Sequence, residues 1–109
     1  MQSWKLNEMD VEASKPQVLD SESEGRAIVI NLPAGEKLSE HQVHERAWLV
    51  VAGGEVEVTD ASGESVTGGP GLLTTFDPNE RHEVTARSEA RLLLVLSPWP
   101  GDGHPSQKA

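Results

Sequence analysis

The chain contains 109 residues with a mass of 11.8 kDa, which is the size of one compact domain rather than two. Its formal net charge of −9 disfavours binding to nucleic acids and to anionic membrane surfaces, because both partners are negatively charged. Cysteine is absent, which excludes disulfides, thiolate catalysis, iron–sulfur clusters and cysteine-based zinc sites. The four histidines are therefore the natural candidates for site chemistry.

The beginning of the chain carries acidic residues and lacks an apolar segment, so it does not resemble a secretory signal. The longest apolar runs, residues 47–52 and 92–96, are too short to span a bilayer. We therefore expect a cytoplasmic protein that has no membrane partner.

Short segments rich in Val, Leu, Ile and Thr alternate with turn residues along most of the chain. The candidate strands are residues 27–32, 48–52, 55–59, 72–76, 82–87 and 91–96. Glycine, proline, aspartate and asparagine between them favour tight turns. Because no stretch combines helical periodicity with helix caps, the pattern predicts an all-β sandwich or barrel.

Two of these strands differ in how their apolar residues are arranged. Residues 55–58 alternate between carboxylates and valines, which predicts a strand with one buried face and one face in solvent. Residues 91–96 do not alternate, so we expect both faces of that strand to be covered, by the core on one side and by a partner subunit on the other.

Two segments resemble the two motifs of the cupin superfamily. The first family motif, G-x5-H-x-H-x3,4-E-x6-G, is matched in register by Gly35, His41 and Gly54. The second, G-x5-P-x-G-x2-H-x3-N, is matched by Gly71 and His82. The resemblance spans residues 28–96 and implies an RmlC-like fold, a small single-domain cupin-type β-barrel, also called a jelly roll.

On this resemblance, residues 1–25 form an N-terminal arm or edge strand, residues 26–97 form the barrel, and residues 98–109 form an irregular C-terminal tail. Trp99, within the tail, is too large an apolar group to remain in water, so we expect it to pack back on the barrel. His104 is interpreted as a tail residue without a place in the site.

The chain departs from the family at positions that matter for a metal. In metal-binding cupins, the first motif supplies two histidines and a glutamate, and the second motif supplies one histidine. Only His41 and His82 carry over as ligands, because the second histidine position falls on Val43 and the glutamate position falls on Ala47. Two imidazoles alone make a weak site for a divalent transition metal.

Two alternatives for the site remain open at this point. If the chain bulges just after His41, His44 can join His41 and His82 in a three-histidine site suited to Zn, Ni, Fe, Mn or Cu, with Glu45 as a further candidate. In a regular strand, side chains three positions apart point to opposite faces. His41 and His82 would then line a polar pocket without a metal.

The candidate ligand pocket is formed around the two motif histidines. Its residues are His41, His82, Val43, Ala47 and Phe76. Two functions are compatible with it, namely binding of a small molecule without catalysis and a metal-dependent activity of the dioxygenase or isomerase type. The sequence leaves open which of them holds and assigns no catalytic role to any residue. The resemblance also implies a homodimer.

Overall fold

The computed structural model describes residues 1–41 and 43–104, and for residues 39–41 it describes the main chain alone. Within these ranges the architecture is all-β, as the sequence predicts, with one short 3-10 helix at Leu6–Glu8. The strands are β1 (Gln17–Glu22), β2 (Gly25–Leu32), β3 (Lys37–His41), β4 (Arg46–Gly53), β5 (Val56–Asp60), β6 (Ser65–Gly68), β7 (Leu73–Phe76), β8 (His82–Ala86) and β9 (Ala90–Ser97). The described part of the chain contains no helix long and apolar enough to cross a membrane.

The strands form two antiparallel sheets that face each other. One sheet has five strands in the order β1-β2-β9-β4-β7, and the other has four strands in the order β3-β8-β5-β6. The chain passes repeatedly from one sheet to the other, as it does in a jelly roll. This topology brings the beginnings of β4 and β8, which are distant in sequence, to neighbouring parts of the barrel.

The core lies between the sheets and follows from the alternation of side chains along each strand. Val56 and Val58 are buried, as the alternation of residues 55–58 predicts. In β9, the residues at even positions point inward and their neighbours are only half-buried. The buried apolar cluster consists of Ile28, Ile30, Leu32, Ala47, Leu49, Val51, Val56, Val58, Phe76, Val84, Ala86, Ala90, Leu92, Leu94 and Leu96.

The outer face of the five-stranded sheet is also apolar. Its half-buried or exposed residues at the centre and at the β7 edge are Trp48, Val50, Leu73, Leu93 and Val95, which we call the outer patch. These residues are neighbours in register, because Val50 pairs with both Leu93 and Leu73, and Trp48 pairs with Val95. Their positions explain why residues 91–96 show no alternation in the sequence.

The N-terminal segment covers the opposite part of the same outer face. The guanidinium group of Arg91 donates hydrogen bonds to the carbonyl oxygens of Leu6 and Met9, and the Ser14 amide donates to the carbonyl of Asn31 at 2.8 Å. Val29 on this face is completely buried. The covering ends before the outer patch, where Leu73 remains 55% exposed.

The sequence pattern did not mark β3 and β6, and it left the segment that contains β1 as an arm or an edge strand; all three are edge strands. An edge strand is paired along one side only and here faces solvent over much of its length, so it needs few apolar residues. In β6, three of the four residues are exposed. These strands are specified by main-chain pairing with their neighbours rather than by a hydrophobic pattern.

Candidate functional site

A cavity of about 560 Å³ lies between the two sheets, within the range typical of small-molecule sites. Most of its wall is apolar and comes from inward-facing strand residues and from Val43. The apolar lining residues are Pro16, Ile28, Ile30, Leu38, Val43, Leu49, Val84, Leu94 and Leu96. The polar and aromatic lining residues are His44, Glu45, His82, Trp99 and His104.

His82 stands at the start of β8 and is 6% exposed. Its ring stacks on Phe76 with the centroids 3.9 Å apart and an angle of 11° between the planes. Its Nδ1 lies 3.2 Å from the carbonyl oxygen of Glu80, an acceptor that a protonated Nδ1 satisfies. In a neutral ring with the proton on Nδ1, Nε2 is the acceptor. A neutral imidazole binds a metal or a hydrogen-bond donor through such a nitrogen.

His41 lies beside His82 in the pairing of β3 with β8. The register of this pairing shifts between Leu38 and His41, so the end of β3 departs from regular strand geometry. The side chain of His41 lies outside the described residues, and its proposed role as a ligand remains a prediction from the sequence.

His44 and Glu45 follow in the bend that connects β3 to β4, and both line the cavity. Consecutive residues of a regular strand point to opposite faces, so this arrangement depends on the bend. His44 is half-buried, whereas Glu45 is 1% exposed. The Oε2 atom of Glu45 accepts a hydrogen bond from the amide of Gly101 at 2.7 Å.

The segment after β9 returns to the barrel and lies along the cavity. The Trp99 amide donates a hydrogen bond to the Ser23 carbonyl at 3.1 Å, and the Arg26 guanidinium lies 3.9 Å from the centre of the Trp99 ring. His104 meets Trp99 edge-on, with ring centroids 4.8 Å apart, and meets His44 edge-on at 5.7 Å. The expectation that Trp99 packs on the barrel is confirmed. His104, which the sequence places in the tail, also lines the cavity.

Gly101 holds this segment against the bend. A Cβ atom at this position would lie 2.6 Å from the His44 carbonyl oxygen and 3.1 Å from the Cα of Glu45. Such distances are too short for a side chain, so the close approach requires glycine. In the sequence, Gly101 is one more residue of an irregular tail, and no pattern there indicates that it approaches residues 44 and 45.

The remaining residues of the predicted pocket have different positions. Val43 is half-buried and lines the cavity. Ala47 and Phe76 are buried in the core at 0% and 3% exposure, and neither belongs to the described lining of the cavity. Phe76 instead lies in the core beside His82, and the stacking of the two rings restricts the orientation of the imidazole.

The usual four-ligand metal site of cupins does not fit these residues. Two of its ligand positions hold Val43 and Ala47, which have no donor atom. Among the side chains that the structure describes, no group of three or more histidines, aspartates or glutamates is arranged to hold a metal ion. A three-histidine site would depend on His41, whose side chain is outside that set.

Two facing antiparallel sheets around a cavity, with a motif histidine at its wall, define a small β-barrel of the double-stranded β-helix class. The family model described as "Cupin domain" matches residues 28–97. This match covers more than half of the chain, and the chain belongs to the cupin family.

Solved structures with the same fold extend over nearly the whole chain. An RmlC-like cupin protein from Desulfovibrio desulfuricans superimposes with a TM-score of 0.80 at 18% identity, covering 90% of this chain and 97% of that one. A protein with a double-stranded β-helix domain from Klebsiella pneumoniae gives a TM-score of 0.77 at 15% identity, covering 90% of both chains. At these identities the similarity shows the fold.

A curated protein also matches part of the sequence. It is named L-ectoine synthase, from Mycobacteroides abscessus, and it is 37% identical over 54 residues. The match covers 50% of this chain and 41% of the relative, so it spans less than half the length of that protein.

Removing residues 98–109 should lower the melting temperature by about 5 °C or more, because it uncovers apolar cavity residues and leaves Glu45 without its amide partner. Gly101→Ala should shift the melting temperature in the same direction. Gly69→Ala is the matched control, since its Cβ would meet nothing closer than 3.5 Å. Thermal unfolding followed by circular dichroism measures all three variants. An unchanged melting temperature in the truncated protein would contradict this account of the tail.

Proposed function

We propose that this cupin binds a small organic molecule in the cavity between its sheets, beside His82 and His41, without the usual cupin metal site. The observation that carries the proposal is the cavity itself, which is apolar over most of its wall and has its polar groups on a few residues. In such a site, apolar contacts supply most of the affinity and the polar groups fix the orientation of the ligand.

The polar groups support binding of this kind. The ring of His82 is held in place by Phe76 and the Glu80 carbonyl, so binding would cost little side-chain entropy there. His44 and His104 add two further imidazoles to the same wall. The partial match to a protein named L-ectoine synthase supports a small organic ligand as a class.

Hexan-1-ol is a suitable neutral probe of the cavity. The wild-type protein should bind it saturably in isothermal titration calorimetry, and Leu94→Phe should weaken binding by about tenfold or more, because the larger ring occupies cavity space. Val66→Phe is the control, since Val66 is 43% exposed on β6 and lies outside both the cavity lining and the outer patch. Equal affinity in Leu94→Phe and wild type, or no saturable binding at all, would refute binding in the cavity.

A metal-dependent activity is the second candidate. It is favoured by one observation, namely that His44 and His82 line the same cavity while the main chain of His41 pairs with that of His82. If the His41 side chain also faced the cavity, three imidazoles could hold Zn, Ni, Fe, Mn or Cu and leave coordination positions open for a substrate.

Metal content separates the two candidates. We expect protein purified without a histidine tag or chelator to contain much less than one equivalent of any transition metal by mass spectrometry, because the family's ligand positions are filled by Val43 and Ala47. About one equivalent that is lost in His82→Ala and retained in His104→Ala would replace the first candidate with the second.

We also propose that the protein forms a homodimer through the outer patch. Its five apolar residues adjoin one another across β7, β4 and β9, and Leu73 is 55% exposed. A contiguous apolar surface of this kind is unfavourable in water and is typical of subunit contacts. A second copy of the chain offers the same surface, so the two patches would pack against each other about a twofold axis.

Light scattering after size-exclusion chromatography tests the dimer. The wild-type protein should have twice the mass of one chain, and Leu73→Lys should shift the mass to that of a monomer, since a lysine would have to be buried in the contact. Val66→Lys is the control, because Val66 is 43% exposed on β6 of the other sheet. A monomeric wild-type protein, or a Leu73→Lys variant that remains dimeric, would show that this patch is not the contact.

A further inference from the structure

Glu45 is a buried acid with no basic partner among the described residues. Its side chain is 1% exposed, and its hydrogen bond within this part of the chain comes from the Gly101 amide. The adjacent Arg46 points away and forms an ion pair with Asp77, with the atoms 2.8 Å apart. Burying a carboxylate without a counter-charge is costly, and one backbone hydrogen bond offsets only part of the cost.

The hydrogen bond from Gly101 involves only one oxygen of the carboxylate. Oε2 accepts the amide, whereas Oε1 has no hydrogen-bond partner in the part of the chain that the structure describes. Glu45 also belongs to the wall of the cavity. The side chain therefore offers a molecule in the cavity an acceptor with negative charge.

The surroundings of Glu45 suit a positively charged nitrogen better than a neutral or negative group. An ammonium group supplies N–H donors to a carboxylate, and charge-assisted hydrogen bonds of this kind are stronger than neutral ones. The rings of His44, His104 and Trp99 line the same cavity, and the Arg26 guanidinium, 3.9 Å from the centre of the Trp99 ring, shows that this indole already accepts a cation on one face. No lysine or arginine is among the described residues that line the cavity, so no lining side chain of these two types competes with a ligand cation for the Glu45 carboxylate.

We propose that Glu45 binds an ammonium group, or a similar nitrogen cation, of a small ligand whose remaining part is apolar. The inference rests on the proposed function, because it assumes that the cavity takes a small molecule. It adds the chemical class of that molecule: the cation lies at Glu45, and the apolar part lies along the wall that includes Leu94 and Val84. An aliphatic or aromatic amine has this form.

Glu45 also anchors the C-terminal segment, so the experiment must separate anchoring from ligand recognition. Glu45→Gln does so, because the amide oxygen of glutamine can still accept the hydrogen bond from Gly101 while the negative charge is removed. Glu55→Gln is the control for the loss of one charge from an acidic protein, since Glu55 is exposed and lies outside the cavity lining.

The probes are hexylammonium, hexan-1-ol and hexanoate, which share one chain and differ in charge. The full chain is titrated with each probe in a calorimeter. The wild-type protein and the control variant Glu55→Gln should bind hexylammonium at least about tenfold more tightly than hexan-1-ol, and hexanoate should bind most weakly. Glu45→Gln should lose this preference and retain the affinity for hexan-1-ol. Its melting temperature should stay close to that of the wild type.

Three results would overturn the inference. They are equal binding of hexylammonium and hexan-1-ol by the wild type, the same preference in Glu45→Gln, and loss of the preference in Glu55→Gln as well. In each case hexan-1-ol still binds, so the proposed cavity function stands. If no probe binds, the cavity function itself fails. Should Glu45→Gln not fold, the wild-type comparison and the ¹³C chemical shift of the Glu45 carboxyl group, which should move with hexylammonium and not with hexan-1-ol, decide the question.

Discussion

The contact between Gly101 and the His44–Glu45 bend determines how the cavity is bounded. The Gly101 amide donates to the Glu45 carboxylate at 2.7 Å, and the two main chains are so close that no side chain fits between them. This contact places Trp99 and His104 along the cavity, where their rings meet edge-on and His104 also meets His44. Without it, the barrel would still have its two sheets and its core, but the aromatic part of the cavity wall would be lost.

Glu45 explains how a chain without the family's metal carboxylate still presents an acid to the cavity. The position of the family's metal-binding glutamate holds Ala47 in β4. Ala47 is completely buried in the core cluster, where a carboxylate would have apolar neighbours. Glu45 lies two residues earlier, in the bend, where its carboxylate can reach a backbone amide of the tail. Glu45 shares the cavity wall with imidazole and indole rings, and it is this position that the proposed binding of an organic cation uses.

The sequence predicted the inner part of the fold and only part of the site. Central strands such as β5 and β9 bury one face or both, so their apolar residues mark them, whereas the edge strands β1, β3 and β6 carry no such pattern. The motif placed His82 correctly at the start of a strand, because its register is fixed by that strand. The directions of His44 and His104 could not be predicted, since they depend on irregular segments whose path is set by a long-range contact through Gly101.

Strand β9 connects the two surfaces to which we assign a function. Leu94 and Leu96 line the cavity, while Leu93 and Val95, which alternate with them along the strand, belong to the outer patch. A second copy packed on the outer patch would therefore hold, from outside, the strand that forms part of the cavity wall. It would restrict the motion of Leu94 and Leu96 before any ligand arrives, and a cavity that is already ordered loses less entropy on binding. The proposed assembly and the proposed ligand binding would thus use opposite faces of one strand.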